Sequence, residues 1–310
     1  MKLKNKFMCV MVMALCLIGL SGCGGEKSPQ IANELQFSVG GISDLIISYD
    51  EEKVTFFKSE SDELIIWEYM TANQKSYYAK VDQRDSSIKI SEGGKPFFKS
   101  GFTRYIEVYL PASYEGSLTV TTTNGDIDLV EMELGLSTLR IDSTSGKVDL
   151  KSAEAKVIHL SSTKGMLKIG SLKADQIRLE TTSGNTVCEK LEGAVTYTST
   201  SGNARIESAV GGGSYKTNNF GKLDVTYLEV TDDLYLFNKN DDVHLTLPED
   251  LAFEFQATTK NGSVSTNFQE SITVDGRTAK GTVGSQPAVT VEVETKNGNI
   301  ETNYMKSRKS

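Results

Sequence analysis

Apolar and polar residues alternate with a period of two in short stretches along most of the chain, and the stretches come in pairs. Leu139 and Ile141 precede Gly146, while Val148 and Leu150 follow it. Alternation over four or five residues is typical of β-strands, because successive side chains of a strand point to opposite faces. Each pair of stretches therefore predicts two short strands on either side of a turn.

The same arrangement recurs with a period near twenty residues between Leu118 and Thr302. Neighbouring turn glycines lie 21, 19, 19, 18 and 19 residues apart, and an aspartate, a glycine and, after a longer gap, a last glycine continue the series. A fixed period of this size indicates stacked repeats. We expect a positive φ at these turns, because glycine adopts it at little cost, as asparagine and aspartate do more weakly. The turn positions are Gly125, Gly146, Gly165, Gly184, Gly202, Gly221, Asp241, Gly262 and Gly298.

Two strands per unit predict an all-β fold. The unit length favours a parallel β-helix, or β-solenoid, in which each strand pairs with its counterpart in the next turn. A β-sandwich built of successive hairpins would also show short alternating strands. It would not place a glycine at one fixed phase in six successive units, so the pattern favours the solenoid.

The domain organisation follows from this repeat. Residues 35–304 are predicted to form one all-β domain, with N-terminal capping strands at residues 35–111 and solenoid repeats at residues 116–304. A cap is expected because the last turn of a solenoid would otherwise expose its apolar core. Residues 270–287 are expected to form a loop, and residues 305–310 a basic tail.

Residues 1–22 have the layout of a secretory signal: three early lysines, an apolar run and small residues before a cysteine. The apolar run is shorter than the roughly 20 residues that span a bilayer. The last four positions, Leu20, Ser21, Gly22 and Cys23, resemble the lipobox of bacterial lipoproteins. This resemblance implies that Cys23 is lipidated and that residues 23–34 form the lipidated cysteine and its tether. An ordinary signal peptide, or an uncleaved N-terminal helix, is the alternative.

Charge and cysteine content limit the partners. The formal net charge of −8 becomes −11 without the signal, because three of the 33 basic residues are lost and all 41 acidic residues stay. Such a domain should be repelled by nucleic acid and by anionic lipid. The lipid on Cys23 would therefore hold it on the extracytoplasmic face of the cell membrane. Cys188 is the one cysteine after Cys23 and falls at a core position, so we expect a buried thiol and no internal disulfide.

Three features together resemble a known bacterial family. They are Ile-Ser-Tyr-Asp at residues 47–50, Tyr-Ile-Glu-Val-Tyr-Leu-Pro-Ala at residues 105–112, and units of the form Ser-Thr-Ser-Gly-x-Val/Ala-x-Leu/Ile. The family is the β-helical domain of unknown function named "putative adhesin", common in cell-envelope proteins and lipoproteins. The resemblance spans residues 35–304 and implies the β-helical fold and an envelope location. Its motifs are turn glycines and core positions, so it implies no catalytic residue.

Residues suited to catalysis or metal binding are sparse. His159 and His244 lie on different strands between inward-facing apolar residues, so both should face solvent without a catalytic partner or a shared metal. The motifs of serine hydrolases, zinc proteases, nucleotide-binding loops and paired-cysteine sites are absent from the sequence. The sequence therefore predicts no catalytic residue, no metal site and no cofactor.

Two columns of equivalent positions leave alternatives open. Asp128 and Asp149 should stack about 4.8 Å apart. They could bind a cation or a glycan, or belong to a solvated charge ladder with Lys168. A second column of hydroxyls could bind glycans or ice, or could stabilise the turns by hydrogen bonds. Its predicted members are Thr122, Ser143, Ser162, Thr181, Ser199 and Asn218.

These observations favour a surface-exposed, membrane-anchored lipoprotein that acts as a non-catalytic adhesion or binding module or as an envelope scaffold. Glycans, the cell wall or surface proteins are the expected partners, together with the bilayer itself. Two other functions stay open. A glycan-active β-helical enzyme would need a tight cluster of acids in a groove, whereas an accessory of envelope-stress signalling would leave no signature in the sequence.

Overall fold

β-strands make up nearly all of the regular structure. The computed structural model describes residues 28–97, 101–268 and 271–305, and 21 strands of these residues join one hydrogen-bonded sheet. A 3₁₀ turn at Lys75–Tyr77 is the one helical element among them. Within those ranges, no helix is long and apolar enough to cross a membrane.

The predicted signal, its lipobox and Cys23 lie outside the described residues, as does most of the predicted tail. The first strand, β1 (Gln30–Ser38), pairs antiparallel with β4 (Glu63–Met70). Main-chain hydrogen bonds thus hold the chain from Gln30 onward. The tether predicted for residues 23–34 is therefore shorter than the sequence suggested.

Long strands form the body of a parallel β-helix. Successive strands pair in parallel and in register, with Leu150 beside Ile169 and Leu160 beside Leu179. We call the two strand segments that flank one turn a rung. The strands are β8 (Ser117–Thr122), β9 (Ile127–Ser143), β10 (Val148–Ser162), β11 (Leu167–Thr181), β12 (Thr186–Ser199), β13 (Ala204–Thr217), β14 (Leu223–Asn238) and β15 (Val243–Pro248). The prediction of an all-β solenoid is confirmed.

Inward side chains of neighbouring rungs stack into apolar columns, which is why the sequence alternates. Ile141, Leu160 and Leu179 occupy equivalent positions and are fully buried. Tyr197 continues this column on the next rung. Burial of such columns is the main favourable contribution to folding. Cys188 lies buried in the neighbouring column, as expected.

The N-terminal segment contributes rungs as well as a cap. β2 (Asp44–Ser48) and β3 (Val54–Lys58) pair in parallel with β8 and β9. β6 (Ser87–Ser91) and β7 (Arg104–Leu110) form the next rung outward. In the described part of this segment, β1, β4 and β5 (Lys80–Arg84) are the antiparallel strands that cap the end. The predicted cap at residues 35–111 is therefore corrected: β2, β3, β6 and β7 bury alternate residues as the repeats do, and they stack in the same way.

At the C-terminal end, the spatial order of the rungs differs from their order along the chain. β16 (Phe253–Thr259) and β17 (Val264–Thr266) form the outermost rung. β20 (Val289–Thr295) and β21 (Ile300–Met305) insert between that rung and the one made by β14 and β15.

The segment predicted as a loop, residues 270–287, contains two strands. β18 (Ile272–Asp275) and β19 (Thr278–Val283) pair antiparallel, and β19 also pairs with β16. The hairpin covers the outermost rung, because β16 would otherwise expose an unpaired edge. The loop prediction is wrong for this reason.

The turn glycines form one column, but not for the reason expected. Of the nine turn positions, Gly221 alone has a positive φ, of 131°. A Cβ on Gly146 would lie 1.9 Å from the carbonyl oxygen of Gly125, and one on Gly165 would lie 2.0 Å from that of Gly146. Neighbouring turns therefore approach too closely for a side chain. Asp241 also lacks a positive φ, so the explanation offered for its presence is wrong as well.

The hydroxyl column points into the turns. Thr122, Ser143 and Ser162 are buried, and each hydroxyl donates to the carbonyl oxygen of the glycine three residues later, at 2.8 to 2.9 Å. The sixth member is the buried Thr217 and not the exposed Asn218, because the turn before Gly221 is one residue longer. The column stabilises turns and is not a ligand surface.

Candidate functional site

Asp128 and Asp149 are neighbours on the outer face, as their register in β9 and β10 requires. Lys53 Nζ lies 2.7 Å from Asp128, and Lys168 Nζ lies 3.6 Å from Asp149. Burial alone would raise the pKa of Asp128, but the hydrogen bond and the charge of Lys53 outweigh burial and lower it. An ion-paired carboxylate with a lowered pKa does not supply the proton that a general acid must donate.

Asp128 and Asp149 belong to a row of outward-facing side chains that runs across the paired strands. This outer row leads into a cluster of aromatic side chains at the N-terminal end. From Asp128 the row continues across paired strands through Thr55 and Glu107 to Trp67. Five partly exposed rings surround Glu107 on β3, β4 and β7 and share its face, since they occupy alternate positions of these strands. We call them the aromatic platform: Phe57, Trp67, Tyr69, Tyr105 and Tyr109.

The rings of the platform hold one another in place. Tyr69 and Tyr105 are directly opposed on paired strands and stack with centroids 4.4 Å apart and planes 11° from parallel. The ring centroid of Tyr109 lies 5.3 Å from that of Phe57 and 4.7 Å from that of Trp67. Cross-strand aromatic pairs of this kind stabilise a sheet and fix the orientation of their rings.

Glu107 places a carboxylate at the centre of the platform. The hydroxyls of Tyr69 and Tyr109 donate to its Oε2, at 3.0 and 2.9 Å. Burial, together with Glu107, raises the pKa of Tyr109 to about 12 and also raises that of Tyr69. Both phenols therefore stay protonated at neutral pH. Within the described residues, Oε1 of Glu107 accepts no hydrogen bond and is available to a ligand.

This arrangement suits a sugar. A pyranose presents a flat face of C–H groups that packs on an aromatic ring, and its equatorial hydroxyls donate to a neighbouring carboxylate. Tyrosine and tryptophan offer large contact areas at a small cost in side-chain entropy. The rings lie partly exposed on the outer face of the sheet, so the cluster fits an extended chain of sugars better than an enclosed small molecule.

A carboxyl group with a raised pKa exists on β4, but it faces the interior. Glu68 is fully buried and accepts hydrogen bonds from Asn33 Nδ2 and from the backbone N–H of Ala79, both at 2.7 Å. Its burial is the main cause of the raised pKa. Glu68 follows Trp67 directly in a strand, so it points to the opposite face and cannot reach a ligand on the platform.

His159 has partners that the sequence did not reveal. Arg140 Nη1 lies 2.8 Å from its Nδ1, and Glu180 Oε2 lies 2.8 Å from its Nε2. Because a guanidinium can only donate, Nδ1 accepts and Nε2 donates to Glu180. Both nitrogens are engaged, so His159 is part of a surface network and has no free nitrogen for catalysis. His244 is half exposed, with Nε2 3.8 Å from Glu301.

An open groove of about 810 Å³ lies beside His159. Arg178 lines one wall, and Asp232 and Asp233 line the other, where β14 has extra residues relative to β13. Tyr235 is the only Phe, Tyr or Trp ring among the groove's lining residues. The groove can hold a polar ligand, but the platform offers the larger stacking surface.

The described part of the chain contains neither a group of side chains suited to a metal ion nor a reactive thiol. No group of three or more histidine, cysteine, aspartate or glutamate side chains there could hold a metal ion. Burial raises the pKa of the Cys188 thiol to about 12, so the thiol stays protonated and unreactive at neutral pH.

Sequence reasoning placed capping strands within residues 35–111 but missed the platform. The sequence does contain a pattern that predicts it. Trp67 and Tyr69 on one strand, and Tyr105 and Tyr109 on the other, stand at alternate positions with apolar residues between them. That pattern places the rings on the outer face. The antiparallel pairing that joins the two strands could not be inferred from the sequence.

The fold and the glycine column define a β-solenoid with capped ends. Within that class, the chain belongs to the Toastrack DUF4097 family, whose profile matches residues 42–303. A search of curated proteins found no match.

Three solved structures match most of the chain at low sequence identity. A "putative adhesin" from Bacteroides fragilis is 12% identical, with 87% of this chain and 95% of that chain covered and a TM-score of 0.44. One from Parabacteroides distasonis is 14% identical, with 87% and 96% covered and a TM-score of 0.39. A "putative cell adhesion protein" from Clostridium sporogenes is 12% identical, with 89% and 100% covered and a TM-score of 0.24.

Proposed function

We propose that this chain is a lipid-anchored binding module of the cell envelope that holds glycan chains on the aromatic platform without cleaving them. The observation that carries the proposal is the platform itself, five partly exposed rings around Glu107 on the outer face of the sheet. Clustered rings at a solvated surface are typical of recognition sites, because an isolated domain gains little from exposing them together.

The carboxyl groups support binding without turnover. Glycoside cleavage requires a protonated carboxyl and a second carboxylate on opposite sides of the scissile bond. Glu107 and Asp128 lie two strands apart in one row, about 10 Å from each other. Lys53 lowers the pKa of Asp128, and Glu68, whose pKa is raised, faces the core. The described residues of the platform therefore lack a proton donor matched to Glu107.

Anchoring is supported by the sequence of residues 1–23. Cys23 precedes the start of β1 at Gln30 by seven residues, so the tether reaches at most about 25 Å. In this proposal the platform end lies near the bilayer and the solenoid projects outward. Labelled fatty acid should enter the wild-type chain and not Cys23→Ser. Equal labelling of the two would remove the anchor from the proposal.

The platform is tested by binding to immobilised neutral and cell-wall glycans. The probe is the chain without residues 1–23, which keeps every described residue. We expect Tyr105→Ala and Trp67→Ala each to weaken binding of the best glycan by about tenfold, since a stacked contact of an aromatic ring contributes about 0.5–1.5 kcal/mol beyond the area that it buries.

The matched control is Phe220→Ala. Phe220 is an exposed ring on a turn far from the platform, and its side chain is 57% exposed. It should bind as the wild type does. Equal losses in all three variants, or wild-type binding in the two platform variants, would contradict the proposal.

A further inference from the structure

Three lysines stack on the outer edge of the last three rungs. Lys239, Lys296 and Lys260 occupy equivalent turn positions, because Asn238 pairs with Thr295 and Thr295 with Thr259. Neighbouring rungs lie about 4.8 Å apart, so the ammonium groups follow one line along the solenoid. On the six preceding rungs the same column carries uncharged residues instead: Thr123, Thr144, Thr163, Thr182, Thr200 and Asn218.

The three lysines differ from several other lysines of the solenoid in their charged surroundings. All three are exposed, and none forms an ion pair within the described residues. Other lysines of the solenoid do form such pairs, as Lys168 does with Asp149 and Lys173 with Glu192. Like charges opposite each other on paired strands destabilise a sheet. An anionic ligand that bridges the column would remove this repulsion.

A ladder of amides runs beside the lysines. Asn240 Nδ2 donates to Asn219 at 3.0 Å, Asn297 Nδ2 donates to Asn240, and Asn261 Nδ2 donates to Asn297 at 2.8 Å. Each donation uses one of the two hydrogens of the amide. The second hydrogen of each amide is left to donate to a ligand. The ladder also fixes the spacing of the turns that carry the lysines.

We propose that this lysine–asparagine strip binds a linear acidic polysaccharide, with the ammonium groups on its carboxylates and the amides on its hydroxyls. A line of single charges at strand spacing matches a polymer that carries one charge per sugar. The strip lies on the last rungs, at the opposite end from the platform and from the predicted anchor. A membrane surface is therefore not the occupant that its position favours. The site is independent of the platform.

The test measures binding of polygalacturonate by the chain without residues 1–23. We expect retention at low salt, with a slope of log K against log salt of about −2 for three contacts. The triple variant Lys239→Gln, Lys260→Gln, Lys296→Gln should lose at least about tenfold in affinity, as expected for three lost charge contacts. The same three positions changed to Arg should keep the binding. Loss of polygalacturonate binding in Trp67→Ala instead would assign the polymer to the platform and overturn the proposal.

The control triple, Lys80→Gln, Lys156→Gln and Lys190→Gln, removes the same charge from scattered exposed positions and should bind as the wild type does. An equal loss in this control would show diffuse attraction and overturn the proposal. Absence of wild-type binding would overturn it as well. So would preferential binding of inorganic polyphosphate or of vesicles with anionic lipid, since either would assign the strip to a different partner.

Discussion

At the scale of single residues, the sequence shows the period of the turn glycines but not the physical reason why glycine is required there. A repeat near twenty residues predicts a turn at each glycine. Whether the glycine is required by its φ or by the approach of a neighbouring turn depends on distances between rungs. The structure shows the second cause at Gly146, whose φ is not positive. The two causes predict different tolerance for alanine.

Gly146→Ala should destabilise the fold by about 1–3 kcal/mol or more, the usual cost of overpacking. Its Cβ would lie 1.9 Å from the carbonyl oxygen of Gly125, which accepts a hydrogen bond from the Thr122 hydroxyl of its own turn. Gly135→Ala is the matched control, because no atom lies within 4 Å of the added Cβ and the φ of Gly135 is not positive. It should change stability by about 0.5 kcal/mol at most. Denaturant unfolding measures both, and equal costs would refute the close-approach explanation.

Glu68 predicts a pH dependence of stability. Its folded pKa is raised by burial above the ordinary value of 4.5. Its contribution to stability is thus fully present below pH 4.5 and is lost as the pH rises through the folded pKa. Glu68→Gln keeps a neutral group of the same size in this position. The variant's stability relative to the wild type should therefore be higher at pH 7 than at pH 4.5. A difference in unfolding free energy that does not change with pH would contradict this assignment.

At the scale of elements, alternation located nearly every strand but could not order the strands in space. β2 and β3 look like repeat strands once their pairing is known, yet their turn lacks the glycine that marks most of the other rungs. Glu52 stands in its place, and its carbonyl oxygen begins the column against Gly125. The C-terminal insertion was hidden for a similar reason. The local sequence does not determine which of two compatible rungs will pair with the rung made by β14 and β15.

The insertion predicts how the C-terminal end depends on its last strands. β16 pairs with β19 and β20, and β17 pairs with β21, whereas neither pairs with β15. A chain ending at residue 285 should therefore release residues 249–285 from the solenoid. Limited proteolysis should cut this segment rapidly while the rungs before residue 248 stay protected. The full chain is the control, and equal protection of β16 in both would contradict the observed strand order.

At the scale of the whole molecule, roughly eleven rungs at about 4.8 Å each give a rod of about 50 Å. The aromatic platform lies at its N-terminal end and the lysine–asparagine strip at the other. The sequence predicted the rod and its apolar core. It did not predict either surface. Each surface is assembled from residues far apart in the chain, through pairings such as Trp67 with Glu107 and Asn238 with Thr295.

The central claim is binding without turnover at the platform. Its most direct test incubates the chain lacking residues 1–23 with the glycan it binds best and follows both retention and chain length of the glycan over days. We predict retention that depends on Tyr105 and Trp67, with the glycan left intact. Shortening of the glycan that disappears in Glu107→Gln or Asp128→Asn would contradict the claim and assign the outer row to catalysis.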